Sequence, residues 1–231
     1  MSVSPSAGAP GAAVLTPSEL VYLFGTQFAA RGGAPLGEPH LPDNREVRID
    51  QLGIKLLSVA LLANEQAGSL RLEARTKKIL FGLRSTTSLY AVATDKVPPF
   101  PEGTWEVRLF QPLLDARERT LEVNQLADRN LVESESPWGE VIGILLGAMQ
   151  FRGLLEIVDT KVLKVFHSKR FRLPERTATL AAAQSLAPVR QLLADCEQSR
   201  PEIWKLLTAQ LSSGVRRNQQ STDNDVDISS N

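Results

Sequence analysis

Apolar residues recur along the chain in two rhythms, one of about 3.6 residues and one of 2, and the changes of rhythm mark its elements. The first helical stretch opens at Thr16-Pro17-Ser18-Glu19. Thr16 suits the N-cap, Pro17 the first helical position and Glu19 the reciprocal capping position three residues on. Leu20, Leu23, Phe24 and Phe28 then predict a helix over residues 18–30. A second helix is predicted from about Asp50. Leu52, Ile54, Leu56, Leu57, Val59, Ala60, Leu61 and Leu62 make it apolar on two faces, so it should be buried. Gly68 fits a left-handed stop. The rhythm then changes to 2, with Leu70 and Leu72 inward and Arg71 and Glu73 outward, which predicts a strand over residues 69–73. Residues 79–83 and 89–93 are expected to continue the sheet as a hairpin.

The second half repeats this order. A helix is predicted over residues 110–130, with Leu113, Leu114, Leu121 and Leu126 as its apolar face. A buried helix follows Pro137 over residues 141–151, and Gly153 closes it. Residues 154–171 read as a second β segment, and residues 176–196 and 201–212 as the last helices. Residues 31–44 and 97–104 are rich in Gly or Pro and read as loops. Residues 1–13 and the acidic tail 219–231 are too poor in apolar groups to order themselves. The pattern predicts one mainly helical domain with β-hairpins over residues 14–218. At a spacing of 84 residues, Leu61, Leu62, Gln66, Leu70, Thr76, Lys77 and Leu89 meet Leu145, Leu146, Gln150, Leu154, Thr160, Lys161 and Leu173. That weak repeat leaves open an alternative, two winged helices in tandem.

Composition narrows the chemistry. The 231 residues hold 26 Lys plus Arg and 26 Asp plus Glu, so any pull on an anionic partner has to come from a local patch. The single cysteine, Cys196, excludes an intramolecular disulfide and a cysteine-built metal site. It stands between Asp195 and Glu197, where negative charge disfavours a thiolate. His40 and His167 lie in different contexts, and neither belongs to a proton-transfer or zinc motif. The phosphate-binding glycine motifs and the Gly-x-Ser-x-Gly elbow are missing. No apolar run reaches the ~20 residues of a membrane span, and the amino terminus has no secretory pattern. The expectation is a non-enzymatic cytoplasmic protein without a cofactor, able to sit peripherally on a membrane.

The informative charges are basic. The second β segment carries Lys161, Lys164, His167, Lys169, Arg170 and Arg172, followed by Arg176. The first carries Arg71, Arg75, Lys77, Lys78 and Arg84, and the predicted helix between them Arg117 and Arg119. In a neutral chain such runs imply a side that faces anions.

Three collinear blocks resemble the Golgi phosphoprotein 3 family. They are Leu15-Thr-Pro-Ser-Glu-Leu-Val-Tyr-Leu-Phe-Gly25, the stretch from Leu52 to Glu73, and the stretch from Pro174 to Leu193. The resemblance implies a mostly helical domain that binds membranes peripherally, holding a phosphoinositide headgroup in a basic pocket and inserting an apolar hairpin. Arginine suits such a phosphate because it donates bidentate, charge-assisted hydrogen bonds. By this resemblance Arg117 and Arg119 stand for the family's paired arginines, at a different spacing. Leu57 falls near the family's other pocket arginine, with Lys55 two residues away, and the family's pocket tryptophan has no counterpart in residues 31–48. Lys161, Lys164, Lys169, Arg170 and Arg172 complete the expected anion-binding set, and Ile79, Leu80 and Phe81 are the expected insertion element.

The sequence therefore predicts a protein that binds anionic membrane headgroups and a protein partner, with homo-oligomers possible. The tandem winged-helix alternative implies DNA binding or assembly. It fits less well, because the helices ahead of each β segment are apolar where a recognition helix needs polar residues.

Overall fold

The fold comes from a computed structural model, which describes residues 14–32, 41, 45–79, 84–162 and 166–219. It is mostly helical, with a small three-stranded antiparallel sheet and a separate two-stranded one.

The first helix, α1 (Pro17–Leu23), begins as its capping residues dictate. Thr16 accepts from the Glu19 amide, and the Glu19 carboxylate accepts from the Thr16 amide at 2.8 Å. It is shorter than the predicted 18–30. A 3-10 turn, Gly25–Gln27, takes over where a side chain on Gly25 would meet Leu41 at 2.7 Å. The second helix, α2 (Ile49–Ala67), is the buried axis expected. Leu52, Leu56, Leu57, Val59, Leu61 and Leu62 are almost wholly enclosed, and Gly68 ends the helix at φ 76°.

Two long strands follow, β1 (Leu70–Ile79) and β2 (Arg84–Ala93). They form hairpin 1, which pairs antiparallel from Leu70 opposite Ala93 out to Ile79 opposite Arg84. The strand predicted over 69–73 thus runs further, and the predicted arm over 89–93 lies within β2. Ile79 ends β1, and residues 80–83 lie outside the described residues.

The helix predicted over residues 110–130 is also corrected. It divides into α3 (Trp105–Asp115), a 3-10 turn Arg117–Arg119, the short strand β3 (Thr120–Glu122) and α4 (Val123–Arg129). Glu118 and Arg119 take φ of 57° and 51°, which no helix tolerates. The reversal lays β3 antiparallel on β2, with Tyr90 opposite Glu122, and so completes the three-stranded sheet.

Helix α5 (Pro137–Phe151) starts ahead of the predicted residue 141, because Ser136 caps it by accepting from the Gly139 amide at 3.3 Å. Gly153, at φ 66°, turns the chain into β4 (Glu156–Val162), which pairs antiparallel with β5 (Phe166–Arg172) as hairpin 2. The helix predicted over 176–196 divides into α6 (Glu175–Ala183) and α7 (Ala187–Ser199). Pro188 has no amide hydrogen to continue the first helix and instead sits in the opening turn of the second. Helix α8 (Pro201–Arg216) runs past the predicted 212.

One hydrophobic core gathers these elements around α2, which packs against α1, α3, α5, α7 and α8. Gly214 lets α8 press on α4, since a Cβ there would lie 2.2 Å from the Asn124 carbonyl oxygen. The predicted disordered ends lie outside the described residues except Gln219, which bridges to Ser134. No helix among the described residues is long and apolar enough to cross a membrane.

Candidate functional site

The structure distributes the predicted basic residues among several environments. On hairpin 1 the described basic side chains are exposed and lie beside acids of the same sheet. Arg75 reaches Glu73 at 2.8 Å, Arg71 reaches the same carboxylate at 3.7 Å, and Lys77 lies 3.9 Å from Glu122. Arg75 and Lys77 also stand over the Tyr90 ring, 4.9 and 5.3 Å from its centre. Nothing is described for the side chains of Lys78, Ile79 and Arg84, and Leu80 and Phe81 lie outside the described residues, so the expected insertion element has no described surface.

Lys55 lies against α8, its ammonium 4.5 Å from the centre of the Trp204 ring. Leu57 is fully buried in the core. Arg119 is likewise committed, donating to Asp95 at 3.0 Å and to the Thr94 carbonyl at 2.6 Å. It pins the turn after α3 to the end of β2. Arg117, two residues away, is exposed. Two shallow concavities adjoin along α3. One, of about 200 Å³, is lined by Val97, Phe100, Leu114 and Arg119, and the other, of about 540 Å³, by Arg108, Arg129, Asp115 and Glu102. Their walls carry acids and bases together, so neither is a basic pocket.

Hairpin 2 differs. Its register sets Glu156 opposite Arg172, Val158 opposite Arg170, Asp159 opposite Lys169 and Lys161 opposite His167. Lys161, Lys169, Arg170 and Arg172 are thus held on one pair of strands, whereas Lys164 and His40 lie outside the described residues. β4 and β5 pair antiparallel with each other. The base is anchored by buried Leu154 and Leu155 and by Phe171 and Leu173 packed on the core. Around that base are exposed apolar groups that the sequence reading missed. Phe151, the last residue of α5, is 87% exposed, Val14 62% and Val158 40%. Phe151 continues the leucine pattern of α5, so its sequence signal is that of a core residue.

A buried polar cluster ties that base to the body. Arg152 pairs with the fully buried Glu19 and donates to the Val14 carbonyl at 2.8 Å. Beside it Glu106, also fully buried on α3, accepts from the Ser18 amide at 2.8 Å and lies 2.9 Å from the Ser18 hydroxyl. Asn64 on α2 donates to the Glu106 carbonyl at 2.7 Å. Burial pushes the carboxyl pKa of both Glu106 and Glu19 up, against the hydrogen bonds from Ser18 and Thr16 and the charge of Arg152. Cys196 is buried, and burial raises its thiol pKa, which leaves it a poor nucleophile. Arg176 closes the base by donating to the Gly153 carbonyl at 2.5 Å.

No family model, no curated protein and no solved structure matches the chain.

Proposed function

We propose that this chain is a non-enzymatic binding protein of the Golgi phosphoprotein 3 type, which docks peripherally on an anionic membrane surface through hairpin 2. The observation that carries the reading is the pairing of two features at one end of the molecule. A two-stranded hairpin whose strands carry Lys161, Lys169, Arg170 and Arg172 stands there, and exposed Phe151, Val14 and Val158 lie near its base. Basic strands gain Coulomb energy near anionic headgroups, and apolar side chains beside them gain by leaving water. The reading replaces a closed headgroup pocket by an extended surface, since Lys55 and Arg119 are engaged inside the fold and Leu57 is core. A protein partner would meet the same molecule on another face. The tandem winged-helix alternative has less support, because α2 and α5 bury the residues that a recognition helix would present to DNA.

Vesicle flotation tests the reading. The full chain should float with vesicles containing anionic lipid and not with neutral ones, and binding should weaken steeply with salt. Lys169→Glu with Arg170→Glu should abolish flotation, and Phe151→Ser should weaken it at all salt concentrations. Negligible binding to both vesicle types sinks the membrane reading.

A further inference from the structure

The buried cluster at the base of hairpin 2 holds two carboxylates and one guanidinium. Glu19 comes from α1, Glu106 from α3, and Arg152 from the residue that follows α5. Arg152 is 12% exposed at its side chain and Glu19 not at all. Uncompensated charge is costly in such a setting, so the cluster is neutral only when one carboxylate carries a proton. Arg152 faces Glu19, which assigns the proton to Glu106. There the Ser18 hydroxyl donates to the Glu106 carboxyl at 2.9 Å and lies 3.2 Å from the Thr16 hydroxyl. From the other packed elements, α2 offers the neutral Asn64, and Arg190 of α7 is engaged with Gln27.

We propose that this cluster is a proton-sensitive latch: ionised Glu19 holds Arg152, and through it the base of hairpin 2, against the body, and protonation of Glu19 releases it. The position of Arg152 gives the latch its reach. It stands between α5 and the left-handed Gly153 from which hairpin 2 departs, and it also grips the backbone at Val14. When Glu19 becomes neutral, the guanidinium keeps its charge and loses its buried partner, so it turns out to water and takes residues 152–154 with it. Burial raises the pKa of Glu19 above the ordinary glutamate range, which brings release into milder acid. Because protonation of such a group does not oppose folding, the latch opens without unfolding the body.

Hydrogen exchange on the full chain, corrected for intrinsic rates, tests this without lipid. Glu19→Gln keeps an acceptor for the Thr16 amide and removes only the charge. At neutral pH it should lower protection of the described amides of β4 and β5 on the order of tenfold, and leave those of β1 and β2 unchanged. Arg152→Gln should give the same pattern, and the double variant no more than either single one. Glu106→Gln mimics the protonated form and should leave both hairpins protected. Acidifying the unmodified protein should reproduce the Glu19→Gln pattern, and it supplies a readout should a variant fail to fold. Equal loss of protection in both hairpins, or full protection of hairpin 2 in Glu19→Gln or in acid, overturns the proposal.

Discussion

The two hairpins begin alike and end in different physical situations. Each follows a helix, and each is launched by a glycine with positive φ, Gly68 or Gly153. Hairpin 1 gains a third strand, β3, and lies against α8, α3 and α2. Leu70, Leu89 and Ala91 are enclosed in the core, and its basic side chains find Glu73, Glu122 and the Tyr90 ring. Hairpin 2 has two strands and is anchored at its base. An isolated two-stranded hairpin is marginal in water. The environment of a strand is thus set by the elements packed beside it, and composition alone does not distinguish the two cases.

The sharpest test of this contrast is to damage each hairpin in turn. Leu89→Ala should lower stability by about 3 kcal/mol, because it empties a fully buried site. Replacing residues 157–170 by a short Gly/Ser turn should change it by less than about 1 kcal/mol. Urea unfolding compares the two, and a similar loss from both would erase the distinction. Next in size, Gly214→Ala should destabilise by about 2 kcal/mol, since its methyl collides with the α4 backbone that supports α8 beneath hairpin 1. Exchange protection should fall in β1 and β2 before β4 and β5.

The effect of pH probes the base of hairpin 2. Glu106 binds its proton more tightly in the fold than in the unfolded chain, because burial raises its pKa. The folded state thus keeps a proton that the unfolded state has lost, and stability should fall as pH rises from the ordinary glutamate range through the folded pKa. Glu106→Gln cannot ionise and should flatten that slope in unfolding curves taken across pH. If the slope is unchanged, Glu106 is already ionised in the fold. Smaller again, Tyr90→Phe should cost about 1 kcal/mol through loss of the 2.6 Å bond to Glu122 that joins β2 to β3. Arg75→Ala, an exposed partner of Glu73, should cost less than about 0.5 kcal/mol and leave vesicle flotation unchanged.

Local signals were legible where one residue type has one physical use. Thr16 with Glu19 marks a helix start, Gly68 and Gly153 mark left-handed turns, and the run from Leu52 to Leu62 marks a buried helix. The break after Asp115 was not legible. Leu113, Leu121 and Leu126 keep helical spacing across it, and the reversal at Glu118 and Arg119 is stabilised by Asp95 and Thr94 and by the pairing of β3 with β2. Glu106 was hidden in the same way. It lies ahead of the predicted helix start at residue 110, in a stretch assigned to no element, where an acid reads as a surface residue. Only the packing of α1 on the same core encloses it and brings Ser18 to meet it.

The sequence by itself determined the start of α1, the buried helix α2 and the glycine stops at Gly68 and Gly153, because these depend on periodicity and on the backbone freedom of single residues. Tertiary structure decided which charges are engaged. Whether a lysine stacks on Trp204 or pairs with Glu122 depends on residues far away in the chain, and Coulomb and stacking energies act only once folding has brought them within a few ångströms.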